Sequence, residues 1–328
     1  MELATVSSTS AGVPARQSHS EQPAAGRLIR SLAVASLAAN IVIVVTGGAV
    51  RLTASGLGCP EWPLCTADSL VTTPEMGVHG IIEFGNRLLT FVLTAIAFAT
   101  VFSVWRIRAG RRDLWWLSIG LLAGIPAQAV IGGITVLTGL NPWVVGLHFI
   151  VSMLLIVAAV VMVNRAWLSD EDLAVRHAPL AGRTLRPLLG AMGVLSAITV
   201  VLGVMVTGSG PHAGDHGAAR NGLNADLITR IHVVPVYLLV FALAVALYLV
   251  IRRATDPRVR NAVVLLAVVV LAQAAIGYAQ HFLHLPIALV ALHMLGACLL
   301  TAAASQAVFV GFAKQVPGGA TDAAPAAR

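Results

Sequence analysis

Eight apolar runs, near residues 31–51, 84–105, 114–138, 143–164, 187–208, 229–251, 261–281 and 285–313, leave this chain of 328 residues little freedom of architecture. Each can cross a hydrocarbon layer of roughly 30 Å, which takes about 20 helical residues. Inside lipid a backbone has no water to bond to, so an uninterrupted apolar segment closes its own hydrogen bonds as a helix. A chain that is 58% hydrophobic and 11% charged, with a mean hydropathy of +0.87, also lies outside the range of soluble domains. The expected fold is all-α and polytopic, with eight transmembrane helices.

The formal net charge of +7 does not point to nucleic acid, because the basic residues are sorted by position. All but four of the 21 Lys and Arg lie in the tails and in alternate loops, around Arg27 and Arg30, Arg106 to Arg112, Arg165 to Arg186, Arg252 to Arg260, and Lys314. By the positive-inside rule those segments and both termini are cytoplasmic. The exceptions, Arg51, Arg87, Arg220 and Arg230, fall at outward helix ends or in outward loops.

The chain also repeats itself. Ala127-Gln128-Ala129-Val130-Ile131-Gly132 with Leu147-His148 matches Ala272-Gln273-Ala274-Ala275-Ile276-Gly277 with Leu292-His293, both at an offset of 145. Four helices precede the basic loop and four follow it, so the halves insert in the same sense as a parallel repeat. The expected architecture is two pseudo-symmetric four-helix bundles. Its parts are a disordered cytoplasmic tail at 1–26, one half at 27–164, a cytoplasmic linker at 165–186, a second half at 187–313 and a tail at 314–328. The first tail has no apolar core like that of a cleaved signal peptide.

Ionisable residues at membrane depth are costly and read first as functional. They cluster on the second and fourth helices of each half. In the second half these are His232 and His293, which can present two axial nitrogens to a haem iron between helices. The plainer alternative is two separate histidines, each bonded to a carbonyl or lining a polar cavity. In the first half the matching residues are Asn86, at a slipped offset of 146, and His148. Asparagine is a poor iron ligand, so the halves diverge here. Asn86 shares its helix with Glu83 and Arg87, which places a carboxylate, an amide and a guanidinium within one turn. That trio is either a reaction centre or an ion pair that neutralises itself. The asymmetry suggests chemistry in the first half and a held cofactor in the second.

His79, one turn before Glu83, reads as a hydrogen-bonded residue at the helix entrance. His212, His216, His281 and His284 read as solvated loop residues. Gln128 and Gln273 serve either a buried polar group or helix packing. Cys298 reads as a small apolar core residue. Cys59 and Cys65, in the first outward loop, can form a disulfide in an oxidising compartment; a metal pair or free thiols are the alternatives.

Taken together, Thr46-Gly47-Gly48-Ala49-Val50-Arg51, Gly58-Cys59 with Pro63-Leu64-Cys65, Ile82-Glu83-Phe84-Gly85-Asn86-Arg87 and the two Leu-His sites resemble the heme A synthase family over about 30–313. The resemblance implies an eight-helix cell-membrane oxidoreductase that converts the C8 methyl of haem O to a formyl group, giving haem A for terminal oxidases. It implies axial ligation of a haem b by His232 and His293, with His148 facing the substrate haem and Asn86 and Arg87 in its vicinity. It also implies an essential acidic role for Glu83 and a Cys59–Cys65 disulfide. The haem O-producing farnesyltransferase is the implied partner, and the electron acceptor stays unnamed. The family's common motif has histidine three residues after the glutamate, where this chain has Asn86. The substrate iron then has one protein ligand, His148, unless His79 takes part. The outward arginines are candidates for haem propionates or for lipid headgroups. A b-type cytochrome acting only in electron transfer is the competing reading; a transporter is the third, with Pro126 and Pro235 as its only candidate helix breaks.

Overall fold

A computed structural model describes residues 25–168, 181–215, 217–253 and 255–313. The tail at 314–328, residues 1–24 of the other tail, His216 and most of the expected linker lie outside the described residues. Among the described residues eight helices are long and apolar enough to cross a membrane: α1 (Arg27–Leu52), α2 (Gly77–Trp105), α3 (Arg112–Leu137), α4 (Pro142–Trp167), α5 (Leu185–Ser209), α6 (Ala225–Arg252), α7 (Pro257–Phe282) and α8 (Ile287–Phe312). The chain is a multi-pass helical membrane protein.

Local chemistry sets the helix starts. Asn141 and Asn224 cap α4 and α6 by accepting from Trp143 N–H and Leu227 N–H. Asp256 does the same for α7 through Arg258 N–H. Pro142 and Pro257 occupy the first turns of α4 and α7, where a missing N–H costs nothing. Pro126 and Pro235 sit inside continuous α3 and α6, so neither breaks a helix in the manner of a transporter. Helix α2 starts at Gly77, well before its apolar run at 84, because its polar entrance dilutes the hydropathy without stopping the helix.

Each half closes as a ring. Helix α1 packs on α2, α2 on α3, α3 on α4 and α4 on α1; the second half repeats this with α5, α6, α7 and α8. Between halves α4 meets α8 directly, while α1 on α8 is matched by α5 on α4. This is the pattern of a pseudo-two-fold axis between α4 and α8. Met153, Ile156 and Cys298 are buried in that seam, Cys298 as an apolar filler. Asn164 of α4 and Gln306 of α8 exchange amide hydrogen bonds across it at 2.6 and 3.1 Å.

The repeat extends to backbone detail. At the end of α3, Leu140 N–H bonds Thr135 O, with Gly139 and Leu140 at positive φ. At the end of α7, Leu285 N–H bonds Gln280 O, with His284 and Leu285 at positive φ, again at an offset of 145. On the opposite side the first turn of α1 meets the end of α4, through Arg30 to Ala166 O, and Arg186 of α5 lies over Phe312 of α8. The starts of α1 and α5 and the ends of α4 and α8 therefore share one side, where basic residues gather.

One absence positions the site. Among the described residues, α2 does not pack on α4, nor α6 on α8. The diagonal helices of each ring, which carry the polar residues, stand apart.

Candidate functional site

His232 on α6 and His293 on α8 occupy one such diagonal. Each ring is seated on a glycine of the preceding helix: a Cβ on Gly203 would lie 3.1 Å from His232 Cε1, and one on Gly277 would lie 3.4 Å from His293 Cε1. Both Nδ1 atoms are buried with no hydrogen-bond partner, although the Thr199 backbone of α5 lies beside the His232 ring. Buried imidazole nitrogens are normally paired, and a metal-bound histidine normally gives its other nitrogen to a nearby carbonyl. Two glycine-backed, unpaired imidazoles on separated helices suit a planar iron-bearing group.

The first half has the same frame with different contents. A Cβ on Gly132 would lie 3.3 Å from His148 Cε1, and His148 Nδ1 is buried and unpaired. Across the diagonal, Asn86 faces Gly47 of α1, and its Oδ1 accepts from the Thr46 hydroxyl at 2.8 Å. The matched glutamines bond matched carbonyls: Gln128 donates to His148 O at 3.2 Å and Gln273 to His293 O at 2.9 Å. They fix the two histidine-bearing turns to α3 and α7.

Glu83, Asn86 and Arg87 do not act as one trio. Asn86 turns to α1, while Glu83, buried at 6% exposure, pairs with Arg87 at 2.6 Å. The other Glu83 oxygen accepts from Cys59 N–H at 2.6 Å. Arg87 donates onward to the carbonyls of Cys59, Glu61 and Leu64 at 3.0, 3.2 and 3.0 Å. Cys59 and Cys65 are joined as a disulfide. The ion pair thus grips the disulfide loop from α2. His79 Nδ1 hydrogen-bonds Ser55 Oγ at 2.8 Å, the helix-entrance role its position suggested.

Three of the four arginines set apart from the basic side are committed to backbone. Arg87 holds the loop, Arg51 donates to Thr207 O, His212 O and Ala213 O, and Arg220 donates to Ala218 O and Pro211 O. His212 Nε2 hydrogen-bonds Leu285 O at 2.9 Å, while His281 and His284 are exposed. Among the described residues no three His, Cys, Asp or Glu side chains cluster as a metal site.

Sequence reasoning missed Trp62, Thr46 and Asp215. Trp62 packs on Gly133 of α3, Thr46 bonds Asn86, and the Asp215 carboxylate accepts from the N–H groups of Gly56 and Leu57 at 3.2 Å. The only sequence trace of the first is that Ile131-Gly132-Gly133 becomes Ile276-Gly277-Tyr278 in the repeat.

Fold and site define a class: a duplicated helical membrane protein with buried, glycine-seated histidines on the diagonal helices. The chain belongs to the cytochrome oxidase assembly protein family, whose model matches residues 30–305. Among curated relatives named Heme A synthase, it is 33% identical to that of Bacillus pumilus over 128 residues, 38% of this chain and 41% of the relative. It is 25% identical to that of Listeria monocytogenes EGD-e over 181 residues, 55% and 59% of the two chains. With that of Lysinibacillus sphaericus it shares 28% over 183 residues, 55% and 58%. The matches span about half the length of these relatives.

Proposed function

We propose that the protein is a heme A synthase, oxidising the C8 methyl of haem O to a formyl group through two hydroxylations, each taking oxygen from water and releasing two protons and two electrons, followed by loss of one water, with the four electrons passing singly to an external acceptor. The observation that carries the reading is the broken symmetry: one frame built twice, with two unpaired histidines in the second half and one histidine opposite an amide, beside a buried acid, in the first. The family and the curated names support the same activity.

In this reading His232 and His293 would hold a haem b in the second half, which would supply a one-electron acceptor there. The Gly203 and Gly277 seats fix the two imidazoles, and Gln273 fixes the turn that carries His293. In the first half His148 holds the iron of the substrate haem O, and Asn86, tied to Thr46, offers no second imidazole. Glu83 is the acid–base group. Its oxygens are held by Cys59 N–H and Arg87, yet each keeps a further lone pair to accept a proton leaving the oxidised carbon. The enzyme sits in the cell membrane with its basic side and both termini in the cytoplasm, and receives haem O from the farnesyltransferase that makes it.

The test is to express the chain with a haem O source, purify it, and identify the extracted haems by mass. Haem A that disappears in Glu83→Gln is the expected result. Retained haem b without haem A would assign the chain to electron transfer alone, and a haem-free protein would reject both readings.

A further inference from the structure

The two halves part at a residue the repeat should have kept. Gly132 and Gly277 serve alike under His148 and His293, but the next residue is Gly133 in α3 and Tyr278 in α7. A Cβ on Gly133 would lie 2.3 to 2.8 Å from three atoms of the Trp62 indole, so the ring rests directly on bare α3 backbone. In the second half the seat is filled from within the helix: Tyr278 reaches α6, where its hydroxyl meets that of Tyr237 at 2.9 Å. One half closes the junction of its second and third helices with helix-borne tyrosines, the other with a tryptophan lent by a loop.

That loop is held through its backbone and its disulfide, and none of these attachments grips the Trp62 indole. The Cys59–Cys65 disulfide brackets Trp62, and Glu83 with Arg87 binds the backbone on both sides of it. A Cβ on Gly58 would lie 2.3 Å from His79 O, so the loop also lies flush on the first turn of α2. A side chain carried on a loop can lift and return without disturbing a helix, whereas one built into a helix cannot.

We propose that Trp62 is a removable wall of the first-half site, shielding the His148 side between α2 and α3 and opening to pass a large planar amphipathic ligand. The asymmetry matches the two tasks: a substrate must enter and leave at every turnover, while a resident cofactor needs no door. The assignment of a tetrapyrrole to that door rests on the function proposed above.

A thiol reporter tests the wall without any ligand. With Cys59 and Cys65 paired and Cys298 buried, a cysteine introduced as His148→Cys is the one reactive thiol. In the full chain in detergent, a water-soluble maleimide should label it about tenfold faster when Trp62→Ala is added, as expected for removal of a local closing contact. Trp62→Phe should restore most of the protection, and a separate His293→Cys reporter should not respond to Trp62→Ala. Equal labelling with and without the indole would overturn the proposal. So would an equal rise at both reporters, which would mean general loosening. Adding haemin to the unmodified chain separates the two claims: failure to bind it would reject the haem reading and leave the labelling result standing.

Discussion

A buried imidazole must be neutral and paired, or hold a metal, and the residues here divide on that line. His79 has Ser55 and His212 has Leu285 O, but His148, His232 and His293 keep buried, unpaired nitrogens against glycine. Alanine at Gly203 should therefore push His232 off its seat and lower second-half haem occupancy by about tenfold, the scale of losses seen when a metal ligand's support is altered. Gly277→Ala, with slightly more room, should cost less; haem-to-protein ratios from absorption spectra check both. Glu83→Gln should reduce haem A formation by about 10²- to 10⁴-fold, the usual contribution of a positioned acid–base group. Glu83→Asp should keep part of it, as measured by extracted haem A per mole of protein. The identities of these residues were legible in the sequence, because charge and histidine inside apolar runs stand out. Their partners were not: that Asn86 belongs to Thr46 and Glu83 to Cys59 depends on which way a helix face turns, and spacing alone put all three polar groups together.

At the scale of elements, the eight helices and their duplication followed from hydropathy and the Ala-Gln-Ala repeat. The start of α2 did not, since a turn containing His79 and Glu83 lowers the hydropathy of a helix it does not end. Trp62 escaped for a related reason: a loop aromatic carries no periodic signal, and its seat is marked only by a missing side chain at Gly133. The repeated helix ends give a further test. His284 adopts the positive φ that Gly139 adopts at the equivalent place. Left-handed backbone costs a non-glycine residue about 1 kcal/mol, so His284→Gly should raise the thermal midpoint by a few degrees without changing haem content. An unchanged or lower midpoint in a detergent melt would show that the His284 side chain offsets that strain.

At the scale of the molecule, the halves are joined at both ends and along the α4–α8 seam. On the disulfide side Arg51 reaches across to three carbonyls of the second half, and Asp215 reaches back to Gly56 and Leu57. Arg51→Ala should leave those carbonyls unsatisfied and cost about 1 to 3 kcal/mol, read as a lower midpoint in the same melt. Neither cross-link was legible, because each joins residues more than 150 positions apart with no pattern to connect them. What the sequence did convey at this scale was one frame used twice, with His232 and His293 in one copy and His148 opposite Asn86 in the other. The most direct test is to supply haem O to the chain in cells that lack any other source of haem A, and to analyse the haems of the purified protein. The account predicts haem A from the unmodified chain, and haem b without haem A from Glu83→Gln. Haem b alone from the unmodified chain, with haem O returned unchanged, would contradict it.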